Sequence, residues 1–284
     1  MDAFTDRLQV LQSESTRLRQ YLHTLSPDAW RQPSACAQWQ VQDVVAHLVG
    51  GAEFFADSLT RGLQGDASPP AGRPPAGTIN AAVASESVAQ RAITARERLG
   101  DQLLATFEAT DDHLTRLLTG LGPQAQDKTC YHVWRLMPAQ DFANLRIQEL
   151  ALHGWDIRSR LEATAQLSAE SIAVLLDMIA GSLISGFLHW AFWAGPKLST
   201  PVHYRFEVTD TVPSTLDIVV EGDTARVEEA GPTPAQVHFR CDPEAYVLVM
   251  YGRLSLAAAI AAGRVGVVGD QQMATAFGQW FKGI

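Results

Sequence analysis

The chain has few cysteines, and their spacing argues against two kinds of site. Its 284 residues include three, Cys36, Cys130 and Cys241, and no two of them have the C-x-x-C spacing. This pattern disfavours a disulfide framework and a thiolate zinc site, and it is typical of a reducing compartment. Motifs for a protein nucleophile or for phosphate binding are also missing, since the sequence contains neither G-x-S-x-G nor a glycine-rich phosphate loop.

Basic residues are in the minority. Lys and Arg total 22 against 31 Asp and Glu, which gives a net charge of −9. Binding to nucleic acids and to anionic membranes is driven by basic patches, so we expect neither partner. The hydrophobic share of 46% and the charged share of 19% are typical of a globular protein. A chain of this length can bury a substantial core without disulfides.

Long apolar runs are scarce. The first residues, MDAFTDRLQVLQ, alternate charged and apolar side chains, so we expect no secretion signal and a cytoplasmic location. The run 172–195 approaches the length of a membrane span, but it contains Asp177 and His189 and lacks a basic flank. We interpret it as a buried helix of a bundle and expect no membrane contact.

The first two thirds of the sequence has helical periodicity. One apolar stripe follows three-, four- and seven-residue steps through Leu8, Leu11, Leu18, Leu22 and Leu25. Further helices are predicted over about 41–60, over 78–121 as one long helix or as two helices broken near Gly100, from Pro138 in a first turn to about 161, and from Ser168 onward. These helices predict a four-helix bundle with one extra helix over residues 1–195.

The segment from Gln64 to Gly77 interrupts this helical region with four prolines and three glycines. Such a composition cannot sustain a helix or a strand, so the segment is predicted to be an exposed loop. A solvated connector and a gate over a pocket are both open as its role.

Short strands replace helices after Pro196. The segments HYRFEV, TLDIVVE, ARVEEA and QVHFR are β-branched or aromatic and are separated by turn residues. They are followed by helices from Asp242 and over 254–262, a strand over 264–268 and a closing helix over 270–281. Residues 196–284 are therefore predicted to form a small α+β domain, and the fold class is an α domain followed by an α+β domain.

One pair of side chains has the spacing of metal ligands. Glu149 and His153 lie four residues apart, so they project from the same face of the predicted helix and form half of a divalent metal site. His47 interrupts an apolar run, and a buried imidazole requires a polar partner. Spacing alone leaves open that these histidines are ordinary core or surface residues.

Two motifs carry a resemblance to a known family. CAQWQVQDVVAHLVG and, about 100 residues later, LRIQELALHGWDIRSRL together resemble the mycothiol-dependent maleylpyruvate isomerase family, which belongs to the DinB-like metal-binding helical bundles. The resemblance covers about residues 5–195. It implies a divalent metal, usually zinc, held by His47, Glu149 and His153, with a coordination position left open for catalysis. Asp156 is either a partner of His153 or part of a surface ion pair.

The carboxy-terminal sequence MYGRLSLAAAIAAGRVGVVGDQQMATAF resembles the sterol-carrier-like domain that is often fused to this bundle. In the family, an arginine of this domain is thought to lie near the thiol or the substrate carboxylate. Arg253 is the best match for a catalytic arginine and Arg264 is a rival, while a solvated arginine at a helix end is the alternative.

The resemblance implies an enzyme that uses Zn²⁺ or another divalent metal, with mycothiol or a related thiol, on a small unsaturated acid. A metal-bound thiol is deprotonated, and the thiolate could add to a double bond, permit rotation and leave again, or stay attached. The outcome would be cis–trans isomerisation or thiol transfer. Two alternatives are a hydrophobic small-molecule binding protein with a structural metal, and a zinc-water hydrolase or lyase. The sequence does not predict the oligomeric state.

Overall fold

Long helices form the first part of the chain. The structure, a computed structural model, describes residues 3–78, 81–184, 197–209, 214–232 and 234–283. Its internal contacts divide the chain into two units, Met1–Val174 and Leu175–Ile284. The predicted boundary near Pro196 lies outside the described residues, and the division into domains 1–195 and 196–284 stays a prediction.

The first unit is built around a four-helix bundle. Its helices are α1 (Ala3–Thr24), α2 (Val41–Leu63), α3 (Ala81–Leu99), α4 (Leu103–Thr119), the short α5 (Pro123–Gln126) and α6 (Asp141–Leu161). Helix α7 (Ala169–Ile184) begins in the first unit and ends in the second. Helices α1, α6, α2 and α4 pack in a closed ring, each against the next, and α3 packs against α2 and α4. The predicted bundle is therefore confirmed.

The core of the bundle follows the predicted apolar stripes. Leu11, Leu18 and Leu22 of α1 are buried, whereas the two ends of that stripe are partly exposed. Helix α2 extends three residues beyond the predicted end at Thr60, because its apolar face continues through the buried Leu59 and Gly62. Of the two alternatives for 78–121, the structure has two helices, because a 3-10 turn, Gly100–Gln102, separates α3 from α4.

The predicted start of α6 was wrong. Pro138 does not open the helix; it lies in a two-residue strand, β2 (Met137–Pro138), which pairs with β1 (Thr129–Cys130). The backbone N–H of Ala139 also donates to Lys128 O, so the strand pairing continues past the proline. Helix α6 therefore begins at Asp141. The start of α7 was predicted correctly, because Ser168 Oγ accepts the N–H of Ser171.

The proline- and glycine-rich segment forms the predicted loop, and the protein holds it in place. The Tyr131 hydroxyl donates to the carbonyl oxygen of Pro74 at 2.6 Å. The N–H of Gly77 donates to the carbonyl oxygen of Val133 at 3.0 Å. Two hydrogen bonds therefore tie this loop to the segment that follows β1.

A five-stranded sheet forms the core of the second unit. Its strands are β3 (Val202–Val208), β4 (Ser214–Glu221), β5 (Thr224–Glu229), β6 (Val237–Cys241) and β7 (Val265–Gly269), in the spatial order β5-β4-β3-β6-β7. Strands β3 and β6 are parallel, and the other neighbours are antiparallel. Opposite each other in the sheet, Arg205 and the buried Asp217 form a two-pronged ion pair at 2.7 and 2.6 Å.

Three helices complete this unit: α8 (Pro243–Met250), α9 (Leu256–Ala261) and α10 (Gln271–Trp280). Phe277 of α10 packs on Phe206 and Phe239 of the sheet, with ring centroids 5.2 and 5.7 Å apart. The predicted α+β fold of the carboxy-terminal part is confirmed. Among the described residues, no helix has the length and apolarity needed to cross a membrane; residues 185–195 of the run 172–195 are outside that set.

Candidate metal centre

His47 of α2 and the pair Glu149 and His153 of α6 come together in the bundle. His47 Nε2 lies 2.8 Å from Glu149 Oε2, and His153 Nε2 lies 3.5 Å from the same oxygen. The two imidazole rings meet edge to face, with centroids 4.6 Å apart. One ligand atom from each of the three side chains lies within 4.8 Å of the others. The three predicted residues therefore form one cluster of nitrogen and oxygen donors.

The opposite ring nitrogen of His153 contacts a carboxylate. His153 Nδ1 lies 2.9 Å from Asp156 Oδ2, so of the two roles left open for Asp156, the structure shows a partner of His153. In this contact Nδ1 carries the ring proton and donates it to the carboxylate. A lone pair is therefore left on Nε2, the nitrogen that faces Glu149. The thiol of Cys36 donates to Asp156 Oδ2 at 3.0 Å, and its sulfur lies 3.8 Å from His153 Nδ1.

A tight turn before α2 brings Cys36 to this position. Ala35 N–H donates to the carbonyl oxygen of Asp156 at 2.8 Å, and Trp39 N–H donates to the carbonyl oxygen of Cys36 at 3.1 Å. Gln38 has a φ of 70°, a left-handed conformation that is uncommon outside glycine. The turn also places the Trp39 ring 5.2 Å from that of His47. Sequence reasoning missed the role of Cys36.

The charges in the cluster suit a divalent cation. Burial by itself would raise the pKa of Glu149, but the charge of His47 and its hydrogen bond, with the charges of His153 and Arg146, lower it to about 2. Burial lowers the pKa of His153, against the opposing effect of Asp156. A carboxylate and a neutral imidazole are the forms in which these residues bind metals.

A buried ion pair fixes the helices that carry the cluster. Arg146 of α6 and Asp111 of α4 are fully buried, and Arg146 Nη2 lies 2.9 Å from Asp111 Oδ1. Arg146 Nη1 also donates to the carbonyl oxygen of Leu48, the residue after His47, at 3.0 Å. The second oxygen of Asp111 accepts from Ser15 and Arg19 of α1. All four bundle helices are therefore joined next to the cluster.

A second buried histidine, His132, packs on phenylalanine side chains of α2 and α6. His132 is 7% exposed, and its ring centroid lies 5.8 Å from that of Phe54, 5.9 Å from that of Phe55 and 6.3 Å from that of Phe142. Burial is the main cause that lowers the pKa of His132 to about 4, although the charge of Glu149 opposes the shift. Sequence reasoning also missed this residue, because it lies in an irregular segment without periodicity.

Comparison with known families identifies the bundle. The model of the mycothiol maleylpyruvate isomerase N-terminal domain matches residues 11–158, more than half of the chain. The chain belongs to the mycothiol maleylpyruvate isomerase family. It is therefore an enzyme of an isomerase family. In this family member, the matched region includes all three residues of the cluster.

The rest of the isomerase-family chain also has a match. The model of the SCP-2 sterol transfer family matches residues 193–282, as the resemblance to a sterol-carrier-like domain implied. Two crystal structures share the fold: a mutant of mycothiol-dependent maleylpyruvate isomerase, with a TM-score of 0.63 over 94% of this chain and 95% of that one, and mycothiol-dependent maleylpyruvate isomerase itself, with a TM-score of 0.60 over 90% and 93%. Both are 15% identical to this chain. No curated protein matches it.

The two candidate arginines of the isomerase-family member differ in their surroundings. Arg264 forms ion pairs with Asp242 at 2.8 Å and with Glu244 at 3.0 Å, at the start of α8. Arg253 is half-buried, and its Nη1 donates to the carbonyl oxygen of Tyr251 at 3.0 Å. Two carboxylates therefore neutralise the charge of Arg264.

Proposed function

We propose that this protein is a metal- and thiol-dependent enzyme that isomerises a small unsaturated acid, or transfers a thiol to it. The metal is zinc or another divalent ion, and the thiol is mycothiol or a related compound. The supporting observation is the cluster of His47, Glu149 and His153, whose three donor atoms converge from two helices. The family membership of the bundle supports the thiol and the reaction class.

The three side chains fit the proposed metal by their chemistry. A mixed set of imidazole nitrogens and one carboxylate oxygen is a common donor set for catalytic zinc. When bound there, the metal would lower the pKa of a coordinated thiol and so increase the population of thiolate at neutral pH. Asp156 orients the imidazole of His153. Arg146 of α6 donates a hydrogen bond to a backbone carbonyl of α2, which fixes the two helices relative to each other with their donor side chains adjacent.

We also propose Arg253 as the catalytic arginine that binds the substrate anion. The support is the position of Arg253 in the carboxy-terminal region that matches the SCP-2 family model. Replacement of Arg253 by Lys would keep the charge but lose the planar, two-pronged geometry for a carboxylate. We expect this variant to raise KM for the acid and to leave the bound metal unchanged.

The metal is tested by elemental analysis of the purified protein. We expect about one equivalent of zinc in the wild-type protein and a large loss in His47→Ala and Glu149→Ala. His113→Ala is the matched control, because His113 is an exposed histidine of α4 outside the cluster. Equal zinc content in all four proteins would contradict the proposed site.

The thiol is tested separately by activity. A maleyl-type cis acid is incubated with the protein after removal of small thiols, and formation of the trans isomer is followed by absorbance. We expect no turnover until mycothiol is added. Turnover that is unaffected by removal of the thiol would contradict this part of the proposal and leave the metal site standing.

A further inference from the structure

The two helices that carry His47, Glu149 and His153 continue into a cluster of packed aromatic side chains. Phe54 and Phe55 follow His47 on α2 by seven and eight residues, and Phe142 precedes Glu149 on α6 by seven. Both intervals are about two helical turns, or roughly 10 Å along the axis. Since His132 packs on all three phenylalanines, its ring lies about two turns from the metal cluster.

His132 presents a hydrogen-bond donor among these aromatic rings. The N–H of Trp134 donates to His132 Nδ1 at 3.5 Å, so the ring proton belongs on Nε2. Among the described residues, no side chain or carbonyl accepts a hydrogen bond from Nε2, although His132 is more than nine-tenths buried. Nε2 is not one of the fully buried polar atoms that lack a partner, so its N–H stays accessible to a ligand that accepts a hydrogen bond.

Arg73 supplies a positive charge beside His132. Its guanidinium carbon lies 4.8 Å from the ring centroid of Phe54, and the two hydrogen bonds of Pro74 and Gly77 hold the loop that carries it. In the part of the chain that the structure describes, no carboxylate lies within ion-pair distance of Arg73. The charge of Arg73 acts on the ring of His132 and helps to lower the pKa of the neighbouring Arg91. A cation that has no carboxylate partner among the described residues attracts an anion at this position.

We propose that Arg73 and His132 form a carboxylate subsite, which binds one end of an unsaturated acid whose other end lies at the metal cluster. The guanidinium of Arg73 and the Nε2–H of His132 both donate to the carboxylate. The three phenylalanines exclude water and cover the carbon chain of the acid. The loop of residues 64–77 therefore contributes a binding residue in addition to connecting two helices. The identity of the ligand as the substrate rests on the proposed function.

The subsite is tested by ligand binding without turnover. Maleate, an unsaturated dicarboxylate, is titrated calorimetrically into the full chain after treatment with a chelator and removal of small thiols. We expect maleate to bind, with an affinity at least about tenfold weaker in Arg73→Gln, which loses the charge, and in His132→Phe, which loses the donor. His132→Gln keeps an N–H donor, and we expect it to recover most of the affinity that His132→Phe loses.

Arg116→Gln is the matched control, because Arg116 is an exposed arginine of α4, and we expect it to bind maleate like the wild-type protein. Circular dichroism of each variant verifies that it is folded. The proposal is overturned if wild-type protein does not bind maleate, or if Arg73→Gln and His132→Phe bind it as tightly as the control. Metal and thiol are absent from the titration, so failure of the zinc or mycothiol test does not change its result.

Discussion

The thiol of Cys36 donates to the same carboxylate oxygen of Asp156 that contacts His153, at distances of 3.0 and 2.9 Å. One oxygen atom thus receives a hydrogen bond from a turn before α2 and another from a proposed metal ligand on α6. This arrangement fixes the orientation of the imidazole from the side opposite to Glu149. It also gives the half-exposed Cys36 a structural role beside the cluster.

Loss of the Asp156 carboxylate is expected to weaken metal binding, although His47, Glu149 and His153 all remain. The Asp156→Asn variant keeps its volume but holds His153 Nδ1–H less strongly, and such changes commonly reduce metal affinity about 10–100-fold. Competition with a chromophoric chelator measures the affinity. We expect Cys36→Ala to show a smaller loss and Cys36→Ser, which retains a donor, to be close to wild type. Equal zinc affinity in Asp156→Asn and wild type would exclude this role.

The buried pair of Arg146 and Asp111 is expected to be important for stability. The Asp111→Ala variant leaves the Arg146 guanidinium buried without its carboxylate, which should lower the free energy of unfolding by about 3–5 kcal/mol. Urea denaturation at pH 7 measures the difference. Arg226→Ala is the control, since Arg226 forms its ion pairs at the surface, where such pairs contribute little. Similar losses in both variants would refute the prediction.

His132 is expected to make the protein sensitive to mild acid. Its pKa is lowered to about 4 in the folded protein from about 6.5 in the unfolded chain. Between these values the unfolded chain binds a proton that the folded protein does not, so stability falls as the pH decreases from 6.5 to 4. The loss attributable to this residue is roughly 3 kcal/mol. Urea denaturation at several pH values measures it.

The control for this pH dependence is His132→Phe, which keeps an aromatic ring against the three phenylalanines and cannot be protonated. We expect its free energy of unfolding to change less than that of the wild-type protein over the same pH range. A wild-type curve and a variant curve with the same slope between pH 6.5 and 4 would contradict the assignment.

Any side chain at Gly62 of α2 is expected to lower the stability of the protein. A Cβ at this position would overlap the sulfur of Cys130 and lie 2.9 Å from the carbonyl oxygen of Thr129. We therefore expect Gly62→Ala to destabilise the protein by about 1–3 kcal/mol. Gly50→Ala is the matched control on the same helix, where a Cβ would contact nothing and should stabilise the helix slightly. Thermal denaturation distinguishes the two, and a stabilised Gly62→Ala variant would disprove the close contact.

The periodic parts of the sequence predicted most of the fold and two of the three residues in the candidate metal site. Glu149 and His153 share a helix face by their spacing, which is a local property. Cys36 contacts Asp156 only because a turn with Gln38 at a φ of 70° folds back on α6, and no pattern in the sequence indicates this contact. Pro138 follows the rule for helix starts, but pairing with β1 overrides that local preference. Contacts between distant segments decide both cases.

The hydrogen bond from Arg146 to the carbonyl oxygen of Leu48 has a consequence for the thermodynamics of ion binding. The donor side chains of α2 and α6 are aligned by contacts within the protein, so the proposed ion would find them already in place. Its binding free energy would then include little cost of ordering the chain, in contrast to small zinc domains that fold around their ion. One divalent ion would be exchanged for another while the bundle stays folded.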